Sequence, residues 1–263
     1  MNRSPFMLQK IGMVLLMLAV AESAGTAVHA MRPEENRTTR EKGRLIYERS
    51  CVWCHGTNGK GDGPSAWGIG RYSAPRPRDF TGESFKLRST PSGELPTDQD
   101  LFRTITQGIP GAMPSFQSLT EEERWQVVAY VKRFNPAFKN ERPASIPLPF
   151  PPHPSTDARI ENGRNIYKQS GCHICHGENG DGNGSESKAG RLRDARNLPI
   201  AASNLSDRAS LKNGAAPRDL YRSIMTGLDG TPMPSYADQF AERPDEAWDL
   251  VWYLLSLSEG PRQ

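Results

Sequence analysis

The chain has 263 residues, of which 36% are hydrophobic and 24% charged, with a formal net charge of +3. That balance describes a polar globular protein of one large or two ordinary domains, and so weak a basic bias gives no case for nucleic-acid binding. The 22 prolines and 24 glycines point to short helices joined by much irregular backbone.

At the N-terminus, Arg3 and Lys10 flank a short apolar run from Ile11 to Ala21, and Val28-His29-Ala30 puts small residues at cleavage positions. The run is too short for a comfortable membrane span, so residues 1–30 read as a signal peptide, with an uncleaved anchor as the alternative. The mature chain then begins near Met31 and is exported, in a bacterium to the periplasm.

A first helix is expected from Thr38 through Tyr47, ending near Cys51, with Thr38 and Glu41 as a capping box. It leads into Cys51-Val52-Trp53-Cys54-His55. A second helix is expected over Asp98 to Gln107, capped by Thr97 and stopped by Gly108. Met113 follows in a Gly/Pro-rich loop. A third helix starts at Thr120, with Glu123 completing a capping box, carries Trp125, Val128 and Ala129 on one face, and stops before Pro136. Residues 136–156 hold seven prolines, a composition that favours either a semi-rigid spacer or a strap packed on both neighbours. Beyond it, helices are expected around Ala158 to Lys168, Pro217 to Thr226 and Pro244 to Leu257, with Cys172-His173-Ile174-Cys175-His176 and Met233 in the intervening loops. Long strands are not evident, which makes the chain all-α.

The second half repeats the first. Gly43-Arg44-Leu45-Ile46-Tyr47 matches Gly163-Arg164-Asn165-Ile166-Tyr167, Asp100-Leu101-Phe102-Arg103 matches Asp219-Leu220-Tyr221-Arg222, and Met113-Pro114-Ser115-Phe116 matches Met233-Pro234-Ser235-Tyr236. Trp125 and Tyr130 match Trp248 and Tyr253. The duplication divides the chain into domains over 31–135 and 157–263, joined by the linker 136–156.

A Cys-x-x-Cys-His run is the attachment signature of c-type haem: two thiols bond the porphyrin and the adjacent His becomes the proximal iron ligand. A disulfide pair, a redox dithiol or half a zinc site would need no His after the second Cys and would not predict the duplication. The two motifs use all four cysteines, so two covalently bound haem c groups are expected, on Cys51, Cys54 and His55 and on Cys172, Cys175 and His176. Elimination supplies the sixth ligands. Of the five histidines, His29 lies in the leader, His153 in the linker, and His173 inside its own attachment loop. Between Thr38 and Asn135 the one methionine is Met113; Met233 is its repeat partner, whereas Met225 aligns with Thr106 and reads as a packing residue.

Together these motifs resemble the class I c-type cytochromes in a tandem dihaem arrangement, over roughly Thr38 to Ser258. The resemblance implies two small all-α domains, each wrapping one haem, with His/Met ligation and electron transfer in place of catalysis. It implies electron donor and acceptor proteins, among them a membrane-bound or periplasmic oxidoreductase, and no small-molecule substrate; the protein would be a free carrier or the cytochrome subunit of a complex. A dihaem peroxidase with one open haem is the rival and would need an acid/base group beside that haem. Pro64 stands where such families often place a proline near the proximal His, but its partner is Ser185, so support for the imidazole is expected to be less secure in the second copy. Arg71, Arg76, Arg78, Lys86, Arg88, Arg191, Arg193 and Arg196 are candidate partners of haem carboxylates, and Trp67, Tyr72 and Phe80 candidate ring contacts.

Overall fold

A computed structural model describes residues 32–66, 76–82 and 85–258; the expected signal peptide and Trp67, Arg71 and Tyr72 lie outside them. The described residues belong to one compact unit, Met31–Gln263. They form ten α-helices and two isolated β-bridges, with no longer strand among the described residues.

The first repeat contains α1 (Arg37–Ser50), α2 (Val52–His55), α3 (Asp98–Gln107) and α4 (Glu121–Val131). The second contains α5 (Asp157–Gln169), α6 (Cys172–His176), α7 (Ser185–Lys188), α8 (Pro217–Thr226), α9 (Ala237–Phe240) and α10 (Pro244–Ser256). The caps of α3 and α4 follow the sequence signals: Thr97 and Asp100 close a box at the first, Thr120 and Glu123 at the second. The start of α1 does not. Its N-cap is Asn36, whose side chain accepts from the Thr39 backbone N–H, while the Thr39 hydroxyl donates to the Glu34 carbonyl. An Asn two residues before Thr38 offers a stronger acceptor, so the helix begins earlier than its threonines suggest.

In each repeat the first helix crosses the last one, α1 against α4 and α5 against α10. A glycine makes each crossing possible. A Cβ built on Gly43 would stand 1.9 Å from the Gln126 carbonyl oxygen, and one on Gly163 would stand 2.0 Å from that of Asp249. Two separate apolar cores form around these crossings. Ile46, Tyr47, Leu101, Trp125 and Val128 belong to the first, and Ile166, Tyr167, Leu220, Trp248 and Val251 to the second. The repeated aromatics occupy like positions: Trp125 stacks on Phe102 at 4.1 Å and Trp248 on Tyr221 at 4.5 Å. Tyr47 meets Tyr130 at 5.2 Å, as Tyr167 meets Tyr253 at 5.3 Å.

The Pro-rich segment is a strap, which decides between the two roles its composition allowed. Phe138 is buried in the first core. The Ile146 N–H donates to the Ser89 carbonyl at 2.8 Å, and the Ser89 and Ser145 hydroxyls meet at 2.6 Å. Further on, Arg218 donates to the Leu148 carbonyl at 2.6 Å and lies over the Phe150 ring, while Leu148 packs on the second core.

The repeats also grip each other directly. Arg88 is fully buried and reaches across to donate to the Thr226 carbonyl at 2.7 Å and to the Asp229 carboxylate at 2.9 Å. Asp229 also accepts from the Ser92 hydroxyl and the Gly93 N–H. Arg103 of α3 donates to both the backbone carbonyl and the side-chain oxygen of Asn213, and its repeat partner Arg222 donates to the same backbone carbonyl. Arg88 is thus a seam residue, not a candidate partner of haem carboxylates.

Gly43→Ala and Gly163→Ala test the crossings. The alanine gains at most about 1 kcal/mol of helix propensity. Overpacking against a backbone carbonyl costs about 1–3 kcal/mol. Both substitutions are therefore expected to lower the urea midpoint, against the propensity trend, and a raised midpoint for either would refute the crossing as described.

Candidate functional site

Each attachment motif follows directly on the first helix of its repeat. Tyr47 Oη donates to the Gly56 carbonyl at 2.7 Å, and Tyr167 Oη to the Gly177 carbonyl at 2.7 Å. The repeated tyrosine thus ties the end of each motif back to the helix that precedes it. Gly56 and Gly177 have φ of 74° and 83°, and a Cβ there would strike the carboxylates of Asp62 and Asp181. The glycine after each His is needed for that reversal. Within the motifs the intervening Trp53 and Ile174 point outward, 60% and 41% exposed.

The methionine loops are built as alike. Gly108 ends α3 with φ of 70° and Gly227 ends α8 with φ of 66°. In the first loop Ile109 and Met113 exchange backbone hydrogen bonds at 2.8 and 2.9 Å; in the second the Leu228 N–H donates to the Met233 carbonyl at 3.0 Å. The Ser115 hydroxyl donates to the Thr106 carbonyl at 2.8 Å, and Ser235 to the Met225 carbonyl at 2.6 Å. The serine of Met-Pro-Ser therefore clamps the loop to the end of the preceding helix and fixes the direction in which the methionine leaves the backbone. Met225 itself packs on the second core.

These elements enclose one cleft per repeat. Cys51, Cys54, His55 and Met113 line the first, about 1230 Å³ counted to its open mouth, with Tyr47, Phe80, Leu101 and Val127 among its walls. Cys172, Cys175, His176 and Met233 line the second, about 1440 Å³, with Tyr167, Leu192, Leu205 and Leu250. Both clefts open to the surface and are walled mainly by apolar side chains, as a large apolar cofactor requires. All eight residues predicted for the site are brought together, four in each cleft.

Burial favours the neutral form of the thiols and imidazoles in these walls. Burial pushes the thiols of Cys51 and Cys172 up to about 11 and raises those of Cys54 and Cys175. None of the four is joined to another in a disulfide. Burial lowers His55 to about 4 and also lowers His176, so both imidazoles keep a lone pair for a metal. Two thiols, a neutral imidazole and a thioether on the walls of one apolar cleft fit a covalently attached haem. Among the described residues no group of three or more His, Cys, Asp or Glu is arranged to hold a bare metal ion.

The support of the two motif histidines differs in degree, and the second is not the less secure one that Pro64 and Ser185 suggested. His176 Nδ1 lies 2.9 Å from the Ser203 carbonyl oxygen. His55 Nδ1 is buried without a hydrogen-bond partner among the described residues. The Arg78 backbone faces His55 from the position equivalent to Ser203 and likewise opposes the lowering by burial, in a less well-formed contact than the one at His176. His55 is supported by stacking, its ring 4.5 Å from that of Phe80 and within 16° of parallel. The support for His176 comes from a carbonyl 27 positions downstream in the chain, which no spacing near the motif announces.

Of the candidate cations, Arg76, Arg78 and Lys86 line the first cleft and Lys86 also the second. Arg191 is turned to Glu186 on the surface, and Arg196 toward the Pro77 carbonyl at 3.5 Å. Lys212 lines both clefts and carried no sequence signal.

Comparison with known proteins agrees with this geometry. Residues 38–131 match the family described as cytochrome c oxidase, cbb3-type, subunit III, and residues 160–258 match the family cytochrome c. The chain is 23% identical over 257 residues to the cytochrome bc1 complex cytochrome c subunit of Corynebacterium diphtheriae, covering 91% of this chain and 77% of that protein. Among solved structures it is similar to a chain of the Kuenenia stuttgartiensis reducing HAO-like protein complex, with 39% identity and a TM-score of 0.75, over 82% of this chain and 96% of the other.

Tyr47→Phe and Tyr167→Phe each strip the Gly carbonyl of its buried donor. Each is expected to cost about 1–2 kcal/mol. The loss should appear as a lower urea midpoint at unchanged denaturant dependence; no loss in either variant would show that the tyrosine does not hold the motif.

Proposed function

Because the chain belongs to the c-type cytochromes, with two class I domains in tandem, we propose that it is an exported dihaem electron carrier working as the cytochrome subunit of a multi-protein redox complex. The observation that carries this reading is the pairing, in each cleft, of one attachment motif with one methionine loop.

When bound, haem c supplies an iron that takes up and gives back one electron. The chain does the rest. Cys51 with Cys54, and Cys172 with Cys175, would carry the thioether bonds. His55 and Met113, and His176 and Met233, would supply the protein ligands to the two irons. The apolar walls exclude water, and the serine clamps keep each methionine in place through repeated redox cycles. Among the described residues neither cleft is lined by a carboxylate or a second imidazole that would serve peroxidase chemistry, which favours a carrier over that rival. Assembly into a complex is supported by the two similar proteins, each of which is part of a protein complex. Export rests on the leader-like residues 1–30; among the described residues no helix is long and apolar enough to cross a membrane.

Absorption and near-infrared spectra of the oxidised protein test the ligation. Two low-spin haems with methionine-to-iron charge transfer are expected, and Met113→Ala and Met233→Ala should each remove about half of that band. High-spin, ligand-binding haem in the unaltered protein would overturn the carrier reading.

The better-formed backbone contact at His176 predicts the order of the two potentials. A carbonyl accepting the Nδ1–H of His176 makes that imidazole the more basic donor and favours ferric iron. The surviving low-spin haem of Met113→Ala is therefore expected to titrate at lower potential than that of Met233→Ala; the reverse order would count against the Ser203 contact as the controlling difference.

A further inference from the structure

The two clefts are not independent at their polar margins. Lys86 comes from the first repeat and Lys212 from the second, yet each lines both clefts, and Leu87 does so as well. The seam sets their positions. Lys86 stands two residues before Arg88, whose guanidinium is anchored on Thr226 and Asp229. Lys212 directly precedes Asn213, whose carbonyl holds both Arg103 and Arg222. Like charges are thereby kept together. Burial lowers the pKa of Lys86 to about 8, and repulsion from Arg78 and Lys212 adds to this against a weaker pull from Asp194. Cations held at the margin of both clefts offer donors to any anionic group that enters either one. The anionic groups that a c-type haem brings into an otherwise apolar cleft are its two porphyrin carboxylates, which match ammonium and guanidinium donors.

We propose that Lys86 and Lys212 form one cationic site shared by the two clefts, which takes porphyrin carboxylates from both bound haems and so applies the same charge to both irons. The proposal rests on the two-haem reading above. It differs from ordinary carboxylate pairing in its consequence: a change at one lysine reaches two redox centres. A positive charge beside a haem disfavours the ferric state, so its removal lowers the potential.

The test is a spectroelectrochemical titration of the purified dihaem protein and of Lys86→Gln, Lys212→Gln, Lys86→Arg and the remote control Lys42→Gln, with absorption spectra recorded for each. Lys42 is exposed on α1 and lines neither cleft. Lys86→Gln and Lys212→Gln are each expected to shift both midpoint potentials downward, with low-spin spectra retained. Lys86→Arg, which keeps the charge, should leave both near their starting values, and Lys42→Gln should move neither. A shift confined to one haem, or no shift, in variants with unaltered spectra would overturn the shared site while leaving His/Met ligation standing. Should one Gln variant fail to load haem, the other decides by the same criterion. High-spin spectra in the unaltered protein would instead strike at the ligation, independently of the lysines.

Discussion

Everything in either repeat depends on how closely its first and last helices cross. Gly43 lets α1 approach the backbone of α4 at Gln126, and Gly163 lets α5 approach α10 at Asp249. A helix glycine loses about 1 kcal/mol of propensity relative to alanine, and the close crossing offsets that by bringing two apolar faces into contact. The crossing seats Tyr47 and Tyr167 in their cores, and their hydroxyls then hold the carbonyls of Gly56 and Gly177. The attachment motifs are thus positioned from the helix crossing outward. A looser crossing would move both thiols and the imidazole relative to the methionine loop, which is anchored on the other side of the cleft.

A second constraint converts two such units into one. Arg88 is buried with four acceptors: Phe85, Pro91 and Thr226 carbonyls and the Asp229 carboxylate. A buried guanidinium is tolerated only when its donors are satisfied, and removing a partner from such a pair costs about 3–5 kcal/mol. The arrangement therefore specifies one docking geometry strongly even if its net contribution to stability is small. The Pro-rich strap works in the same direction, engaging Ser89 on one repeat and Arg218 on the other.

Much of the repeat was legible in the sequence because its signals are local. Cys-x-x-Cys-His, the Thr97 cap, the capping pair Thr120/Glu123 and the glycine stop at Gly108 each act within a few residues. That the eight residues gathered in the two clefts belong together was legible for a different reason: duplication and the scarcity of His and Met leave few alternatives. What could not be read involves partners far apart in the chain. The Ser203 carbonyl beneath His176 depends on the course of a long loop within the second repeat, and the burial of Arg88 against Asp229 and the sharing of Lys212 between clefts on how loops of different repeats meet. Pro64 and Ser185 pointed the wrong way for this reason, since the nearest proline says nothing about a carbonyl 27 residues beyond the histidine. Asn36 was passed over for Thr38 because both are good caps and the choice depended on the chain before the helix, where Thr39 finds the Glu34 carbonyl.

The repeats are alike where they hold the cofactor and differ where they tune it. The glycine crossings, tyrosine ties, aromatic stacks and serine clamps are matched almost residue for residue. The immediate support of the proximal imidazole is not: Phe80 stacks on His55, whereas the counterpart backbone segment places Leu205 and brings the Ser203 carbonyl to His176. A rigid seam gives this difference its meaning. If the repeats moved freely, the distance between clefts would fluctuate and electron exchange between them would be gated by encounter. With Arg88 and Arg103 fixing the docking, the separation is constant, and the driving force between two proposed irons is set by their local ligand environments. Duplication followed by divergence beside one histidine is then sufficient to turn two equivalent sites into an ordered pair.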